Sequence, residues 1–221
     1  TQRLVVAILF VSLFAMAVGA PADTDTWGHL KAGQVTLESG SILRRDLFSH
    51  TRYGSEWINH SWLSQVILYW LFDHFSYAGL GLWLGLVVAV TFAFVYPQMA
   101  GGPFVRAFIL VLAAATSAVI WVARPQLFSF LLMALVGYIL YLFKWRGVNR
   151  LWLLPPIFVV WVNLHAGYAL GFMLLVAFVI GEGLNHVLDF LASPDQVDEA
   201  RSPTVSWRGI GWLIGVALLS A

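Results

Sequence analysis

The 221 residues are 60% hydrophobic and only 10% charged, with a mean hydropathy of +0.82. A soluble domain of that size cannot hide so much apolar surface, because part of every globule must face water. A net charge of +1 leaves no electrostatic footprint for a nucleic-acid partner, and the lack of cysteine excludes disulfides and thiolate metal sites.

The first apolar run is "LVVAILFVSLFAMAVGA" (4–20), preceded by Arg3. Runs of roughly 17–25 apolar residues are what a helix needs to cross a hydrocarbon core. A positive start, an apolar stretch and the small residues of "AVGAPA" also describe a signal peptide. The run is long for that purpose, and Pro21 would sit awkwardly beside a cleavage point, so a retained helix is expected.

A polar stretch follows over about 21–60, with Asp23, Asp25, Glu38, Asp46 and Glu56 beside Lys31, Arg44, Arg45 and Arg52. Within it "TWGHLKAGQVTLESG" predicts a short helix, with Asp25 or Thr26 as N-cap and Gly40 as the stop. "HSWLSQVILYWLF" (60–72) is apolar and rich in tryptophan, but Asp73 and His74 end it too early to span. At about 20 Å it is placed on or partly in the interface. Further spans are expected at 78–97, 107–123, 126–143, 151–164 and 168–188, with a truncated one from about 209. Pro155 and Pro156 are tolerable near a helix start. The fold expected is therefore all-α: a single transmembrane domain over 1–221, a polytopic bundle of about seven spans. Its long first extracytoplasmic loop (21–77) carries interfacial helices, and a second polar segment covers 189–208. Because the sequence begins at Thr1 and stops inside "LIGVALLSA", it is expected to be the N-terminal part of something longer.

Basic residues in short loops set the orientation. A cytoplasmic N-terminus puts Arg3, Arg106, Lys144, Arg146, Arg150, Arg201 and Arg208 inside; the reverse would leave "FKWRGVNR" outside. Residues 189–208 are then cytoplasmic, and three polar groups meet at the outer membrane level. They are Asp23, Asp25 and His29 after span one, Arg124 in the turn between spans three and four, and Asn163 with His165 between spans five and six. Polar groups beside apolar walls are costly and suspected of function. Bland readings compete with that one. Asp25 can simply cap a helix, Arg124 can snorkel to the headgroups, and Asn163 and His165 can be hydrogen-bonded turn residues. Histidines 50, 60 and 74 suit packing or water, and Glu182, Asn185 and His186 suit helix–helix hydrogen bonding.

No phosphate-cradling glycine loop, His-Glu-x-x-His or nucleophile elbow is present. Paired carboxylates beside a membrane-level cation suit group transfer from a lipid phosphate. One carboxylate acts as general base, its neighbour can hold a divalent cation or the acceptor, and an arginine or histidine neutralises the leaving phosphate.

The ordered set "DTDTWGHLKAGQ", "RDLFSHT", "WINHSWLSQVILY", "ARPQLFSFLL" and "LWLLPPIFVVWVNLHAGYALG" covers most of residues 20–185. It resembles the GT-C glycosyltransferases, which include protein O-mannosyltransferases, the oligosaccharyltransferase catalytic subunit and the aminoarabinose transferase of lipid A. The likeness is greatest to bacterial membrane proteins of that type. The resemblance implies a bacterial inner-membrane enzyme using a polyprenyl-phosphate-linked sugar, with inverting transfer on the extracytoplasmic face. Its catalytic acid corresponds to Asp23 or Asp25. A magnesium or manganese ion on the same two carboxylates is implied less firmly, since some members use a divalent cation and others do not. Arg124 and His165 as phosphate contacts, with His29 and Asn163 nearby, follow from position alone. The alternative is a non-catalytic transmembrane subunit of a larger membrane complex. A transporter fits poorly, since the span centres are almost free of charge and show no repeat.

Overall fold

The computed structural model describes residues 1–19, 23–191 and 203–220. Among them the chain is all-helical: α1 (Gln2–Ala17), α2 (Thr24–Ser39), α3 (Trp62–Val95), α4 (Pro103–Ser117), α5 (Gln126–Trp145), α6 (Leu154–Leu164), α7 (Tyr168–Leu191) and α8 (Trp207–Ser220). Four stretches are long and apolar enough to cross a membrane: Trp62–Gln98, Pro103–Ile120, Gln126–Trp145 and Tyr168–Leu191. The other three expected spans form shorter apolar helices, Gln2–Ala17, Leu151–Leu164 and Trp207–Ser220. Most of the expected polar segment 189–208 lies outside the described residues.

Local chemistry sets most of the boundaries. Pro103 starts α4, and Pro155 and Pro156 lie in the first turn of α6, where their missing N–H groups cost no intrahelical bond. Gly40 ends α2 in the left-handed region (φ 63°) that favours glycine. The expected N-cap needs correction. Asp23, not Asp25 or Thr26, caps α2 by accepting the Asp25 N–H at 2.8 Å. It is the residue that keeps extended backbone geometry (φ −106°, ψ 128°) while its carboxylate reaches back to the first turn.

α3 is two helices joined at Ser76, whose φ of 54° and ψ of −147° are not helical. The first piece (62–75) continues three residues beyond the expected 60–72, and the second (77–95) is the apolar one. The first piece lies against α2. There Gly33 is indispensable, because a Cβ would overlap the Gln65 carbonyl. Between α2 and α3 the segment 41–60 folds as a tight hairpin. Trp57 N–H donates to Arg44 O and Asp46 N–H to Ser55 O, each at 2.9 Å.

Burial is divided between two cores. α1, α3, α4 and the turn before α5 pack around Leu13, Val88, Leu110, Ala114 and Leu127. α5 to α8 pack around Val136, Leu154, Phe158, Trp161 and Leu213. A smaller cluster of Leu30, Leu68, Leu80 and Ala123 fastens α2 and α3 to the turn before α5. Large apolar side chains such as Phe104 and Phe108 on α4, and Met173 and Ile180 on α7, face outward, as lipid contact requires.

Lys144 near the end of α5 pairs with Glu182 on α7, both side chains nearly inaccessible. The second Glu182 oxygen accepts the Val205 N–H at 2.8 Å, and His186 Nε2–H donates to Val205 O at 2.6 Å. Glu182 thus makes the expected helix–helix bond, while His186 bonds the segment before α8 instead. The pair ties the approach to α8 onto α5 and α7.

Two outcomes are expected in thermal or denaturant unfolding of the detergent-solubilised chain. Lys144→Met leaves Glu182 buried without its cation and should destabilise the fold by about 3–5 kcal/mol. Ser76→Gly relieves a conformation that costs a non-glycine residue about 1–3 kcal/mol and should stabilise by about 1 kcal/mol after glycine's entropic loss. Loss of stability in the glycine variant would show that Ser76 is not strained.

Candidate functional site

The site is assembled where α1 gives way to α2, at the end of the bundle opposite Lys144. Capping fixes Asp23 at the head of α2 and sets Asp25 one turn-step behind it. Arg124 arrives from the other half of the sequence on a compact turn. Arg124 N–H donates to Val122 O at 2.7 Å, Leu127 N–H donates to Arg124 O at 3.1 Å, and Ala123 is buried beneath α2 and α3. Pro125 then opens α5.

Arg124 clasps both carboxylates. Its Nη2 donates to Asp23, and its Nη1 lies 3.0 Å from Asp25 Oδ2. The two acids are not equivalent. The Asp23 side chain is 12% exposed and the Asp25 side chain 64%. The Arg124 guanidinium beside Asp23 holds its carboxyl below the usual aspartate range, against the opposing effect of burial. Arg124 Nε and the hydroxyl of Thr26, directly after Asp25, are buried without a hydrogen-bond partner among the described residues. Buried polar atoms left in that state are uncommon and mark places where a polar ligand is welcome.

His29, one turn further along α2, is half-buried, and Gln65 on α3 reaches its Nδ1 at 3.3 Å. Gln65 Oε1 accepts from Asn59 Nδ2 at 2.8 Å, so the Gln65 amide nitrogen is the donor towards the histidine. His29 therefore accepts at Nδ1 and carries its proton on Nε2. Burial lowers its pKa from the ordinary 6.5, and the Arg124 charge adds to that.

His165 follows α6 and has the same tautomer. Gly167 N–H donates to its Nδ1 at 3.0 Å, and the Ser129 hydroxyl lies 2.8 Å from the same nitrogen. Trp161 Nε1–H donates to Ser129 Oγ at 2.7 Å, which leaves the Ser129 proton for the ring. A Cβ at position 167 would overlap Ser129, so only glycine allows this approach. Burial lowers the His165 pKa, with the His60 charge second. The charges of Arg124, Asp25, His165 and Asp23 all act on His29, placing these groups in one electrostatic neighbourhood.

The sequence-predicted set is thus largely brought together: Asp23, Asp25 and Arg124 in contact, His29 beside them and His165 within electrostatic range. Asn163 is turned elsewhere. Its Oδ1 accepts from Trp62 Nε1–H at 2.8 Å and its Nδ2 donates to Val159 O at 2.8 Å, fixing α3 to α6. Gln65 and Ser129 were not singled out from sequence, and Thr26 only as a candidate helix cap. Gln65 and Ser129 each interrupt an apolar stretch, which was the available signal. Among the described residues no group of three or more histidine or acidic side chains could hold a metal ion. The two carboxylates share one guanidinium, a poor donor set for a divalent cation.

The chain matches no protein-family model, no curated protein and no solved structure.

A pH titration tests these assignments. The neutral forms of His29 and His165 are the native ones, so their contribution to stability is complete above pH 6.5 and is lost as pH falls through their lower folded values. The Asp23 contribution is present above its ordinary 3.8 and disappears only as pH falls through its depressed value. Imidazole NMR titration should place both histidines below 6.5, with the Nε2–H tautomer. A value above 6.5 for either ring would overturn the hydrogen-bond assignment.

Proposed function

We propose that this chain forms the core of a membrane glycosyltransferase of GT-C type, transferring a sugar from a polyprenyl-phosphate donor to an acceptor on the extracytoplasmic face. The first-loop aspartates and Arg124, 101 residues apart in sequence between Asp23 and Arg124, meet at one end of an apolar helix bundle. That single observation supports the reading best. The GT-C resemblance of the surrounding segments supplies the reaction class and the bacterial inner-membrane location, and the basic residues of the short loops supply the cytoplasmic N-terminus.

In this reading the two aspartates divide the work. Asp23 is committed to capping α2 and to Arg124, and a lowered pKa makes it a weak base. Asp25, more exposed and held by one oxygen, is the base. Asp25 takes the proton of the acceptor hydroxyl or amide as its oxygen or nitrogen attacks the anomeric carbon. The new glycosidic bond forms on the face opposite the leaving group, and the old carbon–oxygen bond to phosphate breaks. Arg124 turns from the carboxylates to meet the charge that grows on the departing lipid phosphate, and an Nε2–H from His165 or His29 is a second donor to it.

A second reading has its own observation. Arg124 pairs with both carboxylates without any ligand, which is also how a structural clasp in a non-catalytic transmembrane subunit would look.

Transfer from a polyprenyl-phosphate sugar in proteoliposomes separates the two. Asp25→Asn should lower the rate by about 100-fold or more while helix content and elution volume stay unchanged. Asp23→Asn should weaken folding as well as transfer. Full transfer by the Asp25 variant would sink the catalytic role. Transfer that falls only in step with lost fold in every variant would favour the clasp.

A further inference from the structure

A second concave surface lies beside the Asp–Arg cluster. It is a groove of about 660 Å³ between the hairpin 42–60, the start of α3 and the last turn of α6. We infer that this groove seats the phosphate headgroup of a membrane lipid. The inference does not depend on sugar transfer, since the binding chemistry is complete without Asp25.

Charge is the first argument. Arg44 and Arg45 line the groove, and neither forms an ion pair among the described residues. Against them stands one carboxylate, Glu56. The polar groups that could otherwise compete for a ligand are already engaged. Asn163 is held by Trp62 and by its own helix, and Asn59 by Gln65. What remains open is two guanidiniums, with the ring of His60 beside them, against the single carboxylate of Glu56, and that excess of donors favours an anion. Guanidinium matches phosphate with paired N–H bonds.

Position is the second argument. Val162 and Asn163 belong to the last turn of an apolar helix, where hydrocarbon gives way to headgroups. Trp62, which shares the groove wall, is the kind of side chain that sits at that level. The apolar lip continues outward through Ile58, 87% exposed, and along Val159 and Val162 on α6. A free anion would have no use for that lip, whereas the glycerol and acyl portion of a lipid would cover it. Rigidity is the third argument. The Trp57–Arg44 and Asp46–Ser55 backbone bonds hold the arginine pair in place before any ligand arrives.

The test is a binding titration of the full chain in detergent with dioctanoyl phosphatidic acid, alongside dioctanoylglycerol and inorganic phosphate as separate arms. Phosphatidic acid should bind, with the other two at least tenfold weaker. The Arg44→Gln/Arg45→Gln double variant should lose affinity by at least about tenfold, given the worth of each arginine near an anionic lipid surface. Ile58→Asp, at an exposed position that does not hold the fold, should weaken binding with both arginines intact. Asp25→Asn should bind as the wild type does, even where it abolishes transfer. Undiminished binding in the double variant or in Ile58→Asp would overturn the inference. So would phosphate binding as tightly as the lipid, or loss of binding in Asp25→Asn, which would move the lipid to the Asp–Arg cluster.

Discussion

The close approach of α2 to the first half of α3 is the contact from which the polar end of this molecule is built. Gly33 presents bare backbone to the Gln65 carbonyl, and any side chain there would hold the helices apart. With the helices in contact, the Gln65 amide falls between His29 on one side and Asn59 on the other. Leu30 and Leu68 close the apolar layer beneath, together with Ala123 from the turn that carries Arg124. One glycine therefore sets the position of α2, the orientation of a histidine ring and the height of the arginine turn. Without that contact Asp23 and Arg124 would have no reason to meet across a hundred residues of chain.

The resulting cluster is unevenly satisfied, and the unevenness is informative. Asp23 is well partnered: the Asp25 N–H and the Arg124 guanidinium both donate to its Oδ1. Arg124 Nε and the Thr26 hydroxyl have none among the described residues. A clasp selected for stability alone would be expected to satisfy all of its buried atoms, since each orphan costs about 1–3 kcal/mol. The histidines point the same way. Each uses its Nδ1 to accept a bond from the scaffold, which fixes the ring and keeps the proton on Nε2.

Several of these features could be read in the sequence, for identifiable reasons. Gly40 acts within one turn of itself, so the end of α2 was predictable, and Pro155 and Pro156 were placed near a helix start, where they lie. The grouping of Asp23, Asp25, His29, Arg124 and His165 at one end followed from counting apolar runs, which fixes which loops share a level. Other features depend on partners distant in sequence. The sequence offered Asp25 or Thr26 as the cap, whereas α2 starts earlier, at Thr24, and Asp23 takes that place. The break at Ser76 has no glycine or proline to announce it. Asn163 looked like part of the site because its loop does, yet a single bond from Trp62 turns it away.

The opposite end of the bundle shows what a settled polar group looks like in this protein. Glu182 lies within an apolar helix, the kind of residue that would suggest ion or proton passage. Every bond it makes is structural. Lys144 matches its charge, the Val205 N–H takes its other oxygen, and His186, stacked on Trp207 at 4.4 Å, holds the Val205 carbonyl. The carboxylate joins three segments and presents nothing outward. Asp25 differs on each count, being exposed, held by one oxygen and flanked by an unsatisfied hydroxyl. The two ends thus use the same chemistry, an acid against a cation beside apolar walls, to opposite effect. Complete pairing in a buried site fastens helices together, whereas at the other end Asp25 keeps one partner and stays open to solvent.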